Sequence, residues 1–510
     1  MINKYTKFWG LLVALIIISG YSVSAQTILT PRTVGMGGGG TAFLTGYSAN
    51  FLNPANLMIA DQRYNNGIGL GEIALFLNKQ PIKKSIPSYS FLFDQFTPQN
   101  INNYSITSTE HQNILTDWFP DNTDYYNRSA RFDAVLLGLN IQTKNFALSL
   151  ALRSRGINRI AINRGWYDDN FVKKGNLRVL RRELHQTIAV YHELSLGFAE
   201  QLPLINGWTA HLNRLYIGIA PKLIFGGTYF KGDYSSDYYS GNSGIQFQNV
   251  RNFSSFSTGP LSNDIGHYNN STNQYAFPYN GLTYKDALQP TGLGAGLDLG
   301  LTYIISIGND ASLLREKNSG PLKKSFRLSA SLTDIGFIRY KKNIKSYQVT
   351  NDTLMVNNIP GNAKTDFIGS PGSFSRFISN DDPNGFTYNN NNKTQSASRD
   401  IALPAALHIG SALQLNWWMA TVDFTYGLNK NAFNSKYLIT NIGGELRLIP
   451  YLPLRAGIQL QKKQNPIFDI GAAIDTPHFE ISTGLEINTP GLKHNTFILG
   501  SAVTAFHIRF

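Results

Sequence analysis

Long runs of strict alternation constrain this chain more than any other feature. Across 292–304, Leu293, Ala295, Leu297, Leu299, Leu301 and Tyr303 fall on one side. Gly292, Gly294, Gly296, Asp298, Gly300 and Thr302 fall on the other. Successive strand side chains leave opposite faces, so one face is apolar and the other small or polar. The same pattern returns at 146–153, 418–427 and 454–461. A soluble sandwich also alternates. These runs reach 10–14 residues, however, against about 5–6 in soluble sheets and about 9–11 for a tilted strand crossing a bilayer. Their polar faces carry Arg327, Glu445, Arg447, Glu480 and Glu486, which suits a wet interior. The fold class expected is therefore all-β: a transmembrane antiparallel barrel with lipid outside and water inside. Composition agrees, with 31 Phe, 26 Tyr and 46 Gly but only 15% charged residues.

Alternation places fourteen strands, at 67–77, 131–141, 145–155, 187–200, 214–230, 292–305, 324–340, 404–416, 418–428, 436–448, 453–462, 466–475, 478–488 and 496–510. The long connections, 78–130, 156–186, 231–291 and 341–403, all follow odd-numbered strands. Outer-membrane barrels have short periplasmic turns and long external loops, so this parity puts both termini in the periplasm. The long connections are rich in Asn, Ser, Tyr and Asp, as in Tyr234 to Asn242, and are expected as solvated surface.

Residues 1–25 read as a signal peptide: Lys4 and Lys7 precede an apolar core from Leu11 to Ile18, and Val23-Ser24-Ala25 offers a cleavage site. The apolar stretch is short of the ~20 residues of a membrane-spanning helix. The chain has no cysteine, which excludes a lipoprotein anchor, thiol catalysis and cysteine-ligated metal. The net charge of +13 comes without a concentrated basic run. It is read as attraction to lipid headgroups or acidic ligands, with no nucleic-acid partner.

Residues 26–63 differ from everything after them, and the barrel is expected over 64–510. Gly35, Gly37 and Gly40 satisfy G-x-G-x-x-G, but no βαβ unit surrounds them, so dinucleotide binding is rejected. Glycine here is expected to let backbone pack closely. The run Thr33-Val34-Gly35-Met36-Gly37-Gly38, followed by Asn53-Pro54-Ala55, resembles the N-terminal signature of FadL-type outer-membrane barrels. That superfamily includes fatty-acid transporters and the PorV-type components of type IX secretion. Gly292 to Tyr303 and Leu328 to Tyr340 are similar to an uncharacterised Bacteroidetes-type branch of it. The resemblance implies that residues 26–63 form a hatch inside a fourteen-stranded barrel, carrying the motif residues Gly35, Gly37, Gly38, Asn53, Pro54 and Ala55.

No catalytic constellation stands out. The nine histidines form no H-E-x-x-H pair, no serine sits in G-x-S-x-G, and His192 and Glu193 leave opposite strand faces. The chain is expected to be no enzyme and to hold no cofactor or metal. Two functions fit: passage of a hydrophobic or amphipathic small molecule, or a scaffold that holds secretion-system proteins through its long loops. Candidates to face the lumen are Asp298, Arg327, Asp423, Glu445, Arg447 and Arg455, expected as charges paired across a narrow interior. Phe506, Ile508 and Phe510 share one face of the last strand, with Arg509 on the other. They are expected to face outer-membrane lipid and to be read by the barrel-assembly machinery.

Overall fold

The computed structural model describes residues 28–59, 66–79, 115–116, 119, 124–143, 145–168, 172–174, 177–202, 214–240, 246–259, 262, 267–269, 274–276, 289–307, 324–359, 374, 377–378, 381, 386–387, 398–434, 436–461, 466–488 and 498–510. The expected signal peptide, 1–25, lies outside the described residues, as does much of the connections 78–130, 231–291 and 341–403.

Fourteen strands form a closed wall. They are β1 (Gly67–Lys79), β2 (Tyr125–Gln142), β3 (Phe146–Asn163), β4 (Leu177–Leu202), β5 (Arg214–Ser240), β7 (Gly292–Ser306), β8 (Lys324–Tyr340), β10 (Ala406–Leu415), β11 (Trp418–Gly427), β12 (Leu438–Ile449), β13 (Leu452–Gln461), β14 (Ile467–Asp475), β15 (Phe479–Asn488) and β16 (Ile498–Arg509). Among the further strands, β6 (Phe247–Ser257) and β9 (Lys345–Val356) are the longest and lie outside that ring. Each wall strand pairs antiparallel with the next. The ring closes where β1 meets β16, Gly67 opposite Arg509 and Phe76 opposite Gly500. Closure leaves no unpaired wall edge, which a barrel in lipid requires.

Alternation decides which way each side chain points. All fourteen wall strands expose at least one large apolar residue, from Leu70 on β1 and Leu148 on β3 through Leu293 on β7 to Val503 on β16. The opposite, inward faces hold the buried polar groups, among them Arg153, Lys222, Asp298 and Asp423. The start of β1 and the end of β16 share one end of the barrel with the tight turns at 416–417 and 450–451. This is the near end of the barrel, and the opposite one is the far end.

Strands β4 and β5 run to 26 and 27 residues. At about 3.3 Å per residue this far exceeds a ~30 Å hydrocarbon layer, even with tilt. Their outer parts, together with β6 and β9, build a sheet beyond the far rim. Residues 177–186 and 231–240, read from the sequence as connection, are therefore strand. The polarity of Tyr234 to Ser240 hid a period of two: Tyr234, Ser236 and Tyr238 all turn inward, and the two tyrosines are fully buried. Around them packs an aromatic cluster that includes Tyr126, Trp166, Tyr167, Phe230, Phe253, Phe374 and Phe377.

Candidate functional site

Residues 28–59 are almost entirely buried and carry little regular structure. Thr30 caps the short helix α1 (Pro31–Gly35): its hydroxyl accepts from the Thr33 N–H, and Pro31 stands where no helical donor is needed. Gly37 and Gly38 then take φ of 79° and 78°, a left-handed geometry open to glycine at little cost. Two 3₁₀ turns follow, Gly46–Phe51 and Pro54–Met58. The Asn53 side-chain oxygen Oδ1 accepts from the Ala55 N–H at 3.2 Å, while its side-chain amide donates to the Thr41 carbonyl at 2.8 Å and to the Thr302 hydroxyl at 2.9 Å. Asn53 thus folds the turn and ties it to β7 at once.

The wall is cut to receive this segment. A Cβ added at any of ten wall glycines would come within about 3 Å of it: Gly69, Gly138, Gly197, Gly218, Gly300, Gly410, Gly443, Gly457, Gly471 and Gly484, each on a different strand. Gly35 lies against Gly471, Met36 against Gly443, Gly37 against Gly457, and Pro54 and Ala55 against Gly218 and Gly300. Gly38 meets the looser side chains of Gln459 and Asn441.

On the far-end side of this segment lies a layer of buried charge. The Lys222 ammonium sits 2.6 Å from Asp298, 2.6 Å from Asp334 and 3.4 Å from Glu193. Arg155 bridges Glu193 at 2.5 Å and Asp334 at 2.7 Å, and Arg153 binds Asp133. Burying an unpaired charge is prohibitive, and here every charge faces an opposite one. The arrangement depends on a backbone irregularity. Asp334 adopts φ 54° where the register of β7 against β8 shifts, and its N–H donates to Asp298 at 2.6 Å. The N-terminal segment reaches this layer through Phe51, whose ring lies 5.1 Å from the Arg153 guanidinium and 5.4 Å from the Lys222 ammonium.

A second network occupies the near end. Glu445 accepts from Arg455 at 2.8 Å and Arg447 at 2.7 Å, with Arg32 of the N-terminal segment at 3.6 Å. Asp475 joins Arg447 and Arg509, both at 2.7 Å, and Glu480 joins Arg509 at 2.5 Å. Beside it is a cavity of about 60 Å³ between the segment and β1, β2, β15 and β16, with Tyr47, Ser48, Glu72, Gln142, His507 and Arg509 in its lining. Glu72 there accepts from the Tyr47 hydroxyl at 3.0 Å and the Ser48 hydroxyl at 2.8 Å.

The far end is held differently. Arg182 and Asp381 pair at 2.6 Å with both side chains fully buried, and the Tyr234 and Tyr238 hydroxyls also donate to Asp381, at 2.6 and 2.9 Å. The guanidinium lies over Trp166 and Tyr238. Burial in this shell pushes the Tyr167 hydroxyl well above its ordinary pKa, with Tyr126 adding to the shift.

The residues expected in the lumen thus fall in four places. Asp298 belongs to the mid-barrel charge layer. Glu445, Arg447 and Arg455 belong to the near-end network. Asp423 accepts from the Thr41 N–H at 2.8 Å, and Arg327 donates to Gln414 at 2.7 Å. Phe506, Ile508 and Phe510 are exposed, whereas Arg509 is buried. Sequence reasoning missed Lys222, Glu193, Arg153, Arg155, Asp133 and Asp334. Strand parity alone could have found Lys222, which shares an inward face with Gly218 and Ala220 between the exposed Ile217, Ile219 and Leu223. Among the described residues no three His, Asp or Glu side chains are grouped to hold a metal ion.

A model described as a family of unknown function (DUF5723) matches residues 54–478. No curated protein sequence matches. Among solved structures, the chain is similar to the P. putida toluene transporter TodX, at 12% identity over 95% of this chain and 99% of that one, with a TM-score of 0.41. The Ralstonia pickettii toluene transporter TbuX gives 12% identity, 95% and 98% coverage and a TM-score of 0.41. Similarity at this level says nothing of cargo.

Proposed function

The chain belongs to the DUF5723 family, and we propose that it is an outer-membrane barrel of the FadL type that passes a hydrophobic or amphipathic small molecule. In this reading residues 28–59 are a hatch within the lumen, the near end is periplasmic, and residues 1–25 direct export. The apolar outward face of all fourteen strands supports the membrane setting, since such a belt is favourable against lipid and costly against water. Phe506, Ile508 and Phe510 continue that belt on β16 and would be the strip read by the assembly machinery.

One observation carries the transport reading: ten wall glycines accommodate a separate segment of chain. A fourteen-strand ring is wider than the eight-strand rings that side chains alone can fill. Its interior is occupied here by a piece that only three 3₁₀ or helical turns stiffen, and such a piece can shift or leave. The test is to delete residues 28–59 from the full chain and follow entry of a hydrophobic dye into proteoliposomes. Entry should rise several-fold; unchanged entry counts against transport.

The scaffold reading is favoured by one feature, the sheet of β4, β5, β6 and β9 beyond the far rim, with its own aromatic core. It offers protein partners, including secretion-system proteins, a rigid external platform. Cross-linking from introduced cysteines on β9 that captures no partner would dismiss it.

A further inference from the structure

The near-end cavity carries an inference that rests on the transport reading and narrows the cargo. It lies where the N-terminal segment faces β1, β2, β15 and β16. On β2, the Gln142 side chain has both amide atoms shut off from solvent, with no hydrogen-bond partner among the described residues. On β16, the Nε2 atom of His507 is in the same condition. Gln142 therefore has one acceptor and two donor hydrogens unused beside the cavity, and the histidine nitrogen can serve in either role.

The charges in the lining are already committed. Arg509 holds Asp475 and Glu480, Arg32 faces Glu445, and Glu72 takes the Tyr47 and Ser48 hydroxyls. An incoming carboxylate would meet Glu72 and Glu480 without an uncommitted cation among the lining residues. Bare hydrocarbon would leave the Gln142 and His507 atoms unsatisfied. At about 60 Å³ the space admits a few heavy atoms and no long chain. Leu44, Leu57 and Ile59 also border it, giving an attached alkyl tail an apolar wall to follow.

We propose that this cavity is a head-group site for an uncharged polar group that both donates and accepts hydrogen bonds, the end of a fatty amide or alcohol. The experiment is calorimetric titration of the detergent-solubilised full chain with decanamide, decanol, decanoate and methyl decanoate. The wild-type protein should bind the amide and the alcohol about tenfold more tightly than the carboxylate or the ester, which only accept. Gln142→Leu and His507→Phe should each erase that preference while leaving weak binding of all four. Equal affinities in the wild type, or a preference that survives Gln142→Leu, would overturn the assignment and leave the cavity to solvent. Heat-modifiable gel mobility shows whether each variant has formed the barrel, and Gln142→Met replaces Gln142→Leu if that one has not. Dye entry after deletion of 28–59 is a separate readout. A head-group preference with unchanged entry would sink transport, while raised entry without a preference would sink only the head-group site.

Discussion

The two ends of the barrel use the same chemistry, carboxylate against guanidinium, in opposite surroundings. At the far end the Arg182–Asp381 pair is, among the described residues, a single ion pair within an aromatic shell, its charges met by two tyrosine hydroxyls, the Gly165 carbonyl and two ring faces. At the near end four arginines share three carboxylates beside a polar cavity, and each carboxylate has at least two cationic partners. Between them lies the charge layer around Lys222. An isolated pair in a dry shell keeps only neutral donors when its cation is lost. A shared network redistributes. Loss of a single group should therefore hurt in the order of how little replacement its partners have.

The largest effect is expected at the layer between the ends. Lys222→Met leaves Asp298 without a cation among the described residues, beside Asp334 and Glu193, which keep Arg155. Breaking a buried pair in this way costs about 3–5 kcal/mol, and this variant should reach the top of that range in urea unfolding followed by gel mobility. A near-normal midpoint would mean that water enters the layer. Next comes Arg182→Met, expected to cost about 3 kcal/mol, because the Tyr234 and Tyr238 hydroxyls still reach Asp381. Proteolysis should show the loss first as cleavage in the outer parts of β4 and β5, with the wall intact. If the wall unfolds with them, the two ends are not independent. Arg455→Gln, at the near end, should cost about 1.5–3 kcal/mol, the worth of hydrogen bonds to a charged group, since Arg447 and Arg32 remain on Glu445. A loss as large as that of Lys222→Met would break the contrast between shared and isolated pairs. Smallest of all is Asp400→Asn. Its partner Arg339 is about half exposed, as Asp400 is, and exposed pairs contribute little. No shift of the midpoint is expected at low or high salt, and a shift that persists undiminished at high salt would show the far rim to be shielded from water.

Alternation made the wall legible, because each wall strand has a lipid-side and a lumen-side face and the period of two survives every turn. The N-terminal segment was legible as a different kind of chain from its glycines and from Asn53-Pro54-Ala55. Its fit was not, since Gly35 meets Gly471 and Asn53 meets Thr302 across hundreds of residues. The charge layer escaped for the same reason. Arg155 and Asp334 are 179 positions apart, and the backbone irregularity that brings Asp334 to Lys222 leaves no mark on the alternation. The outer part of β5 was missed because tyrosines and polar residues alternate there without an aliphatic face, and that of β4 because Arg178, Arg181, Arg182 and Glu183 interrupt both faces.

The pairing of β1 with β16 has a temporal meaning. Residues 28–59 touch strands on both sides of that seam, Tyr47 lying against Gly69 of β1 and Pro31 against Gly484 of β15, next to β16. A ring that zips shut along its last strand cannot afterwards admit a segment joined to its first one except through an open end. If β16 pairs last, the N-terminal segment has to be in place before the β1–β16 seam closes, as a form is set before a cooper raises the staves around it. A chain whose β1–β16 seam closes too early should be a complete ring with its first residues left outside.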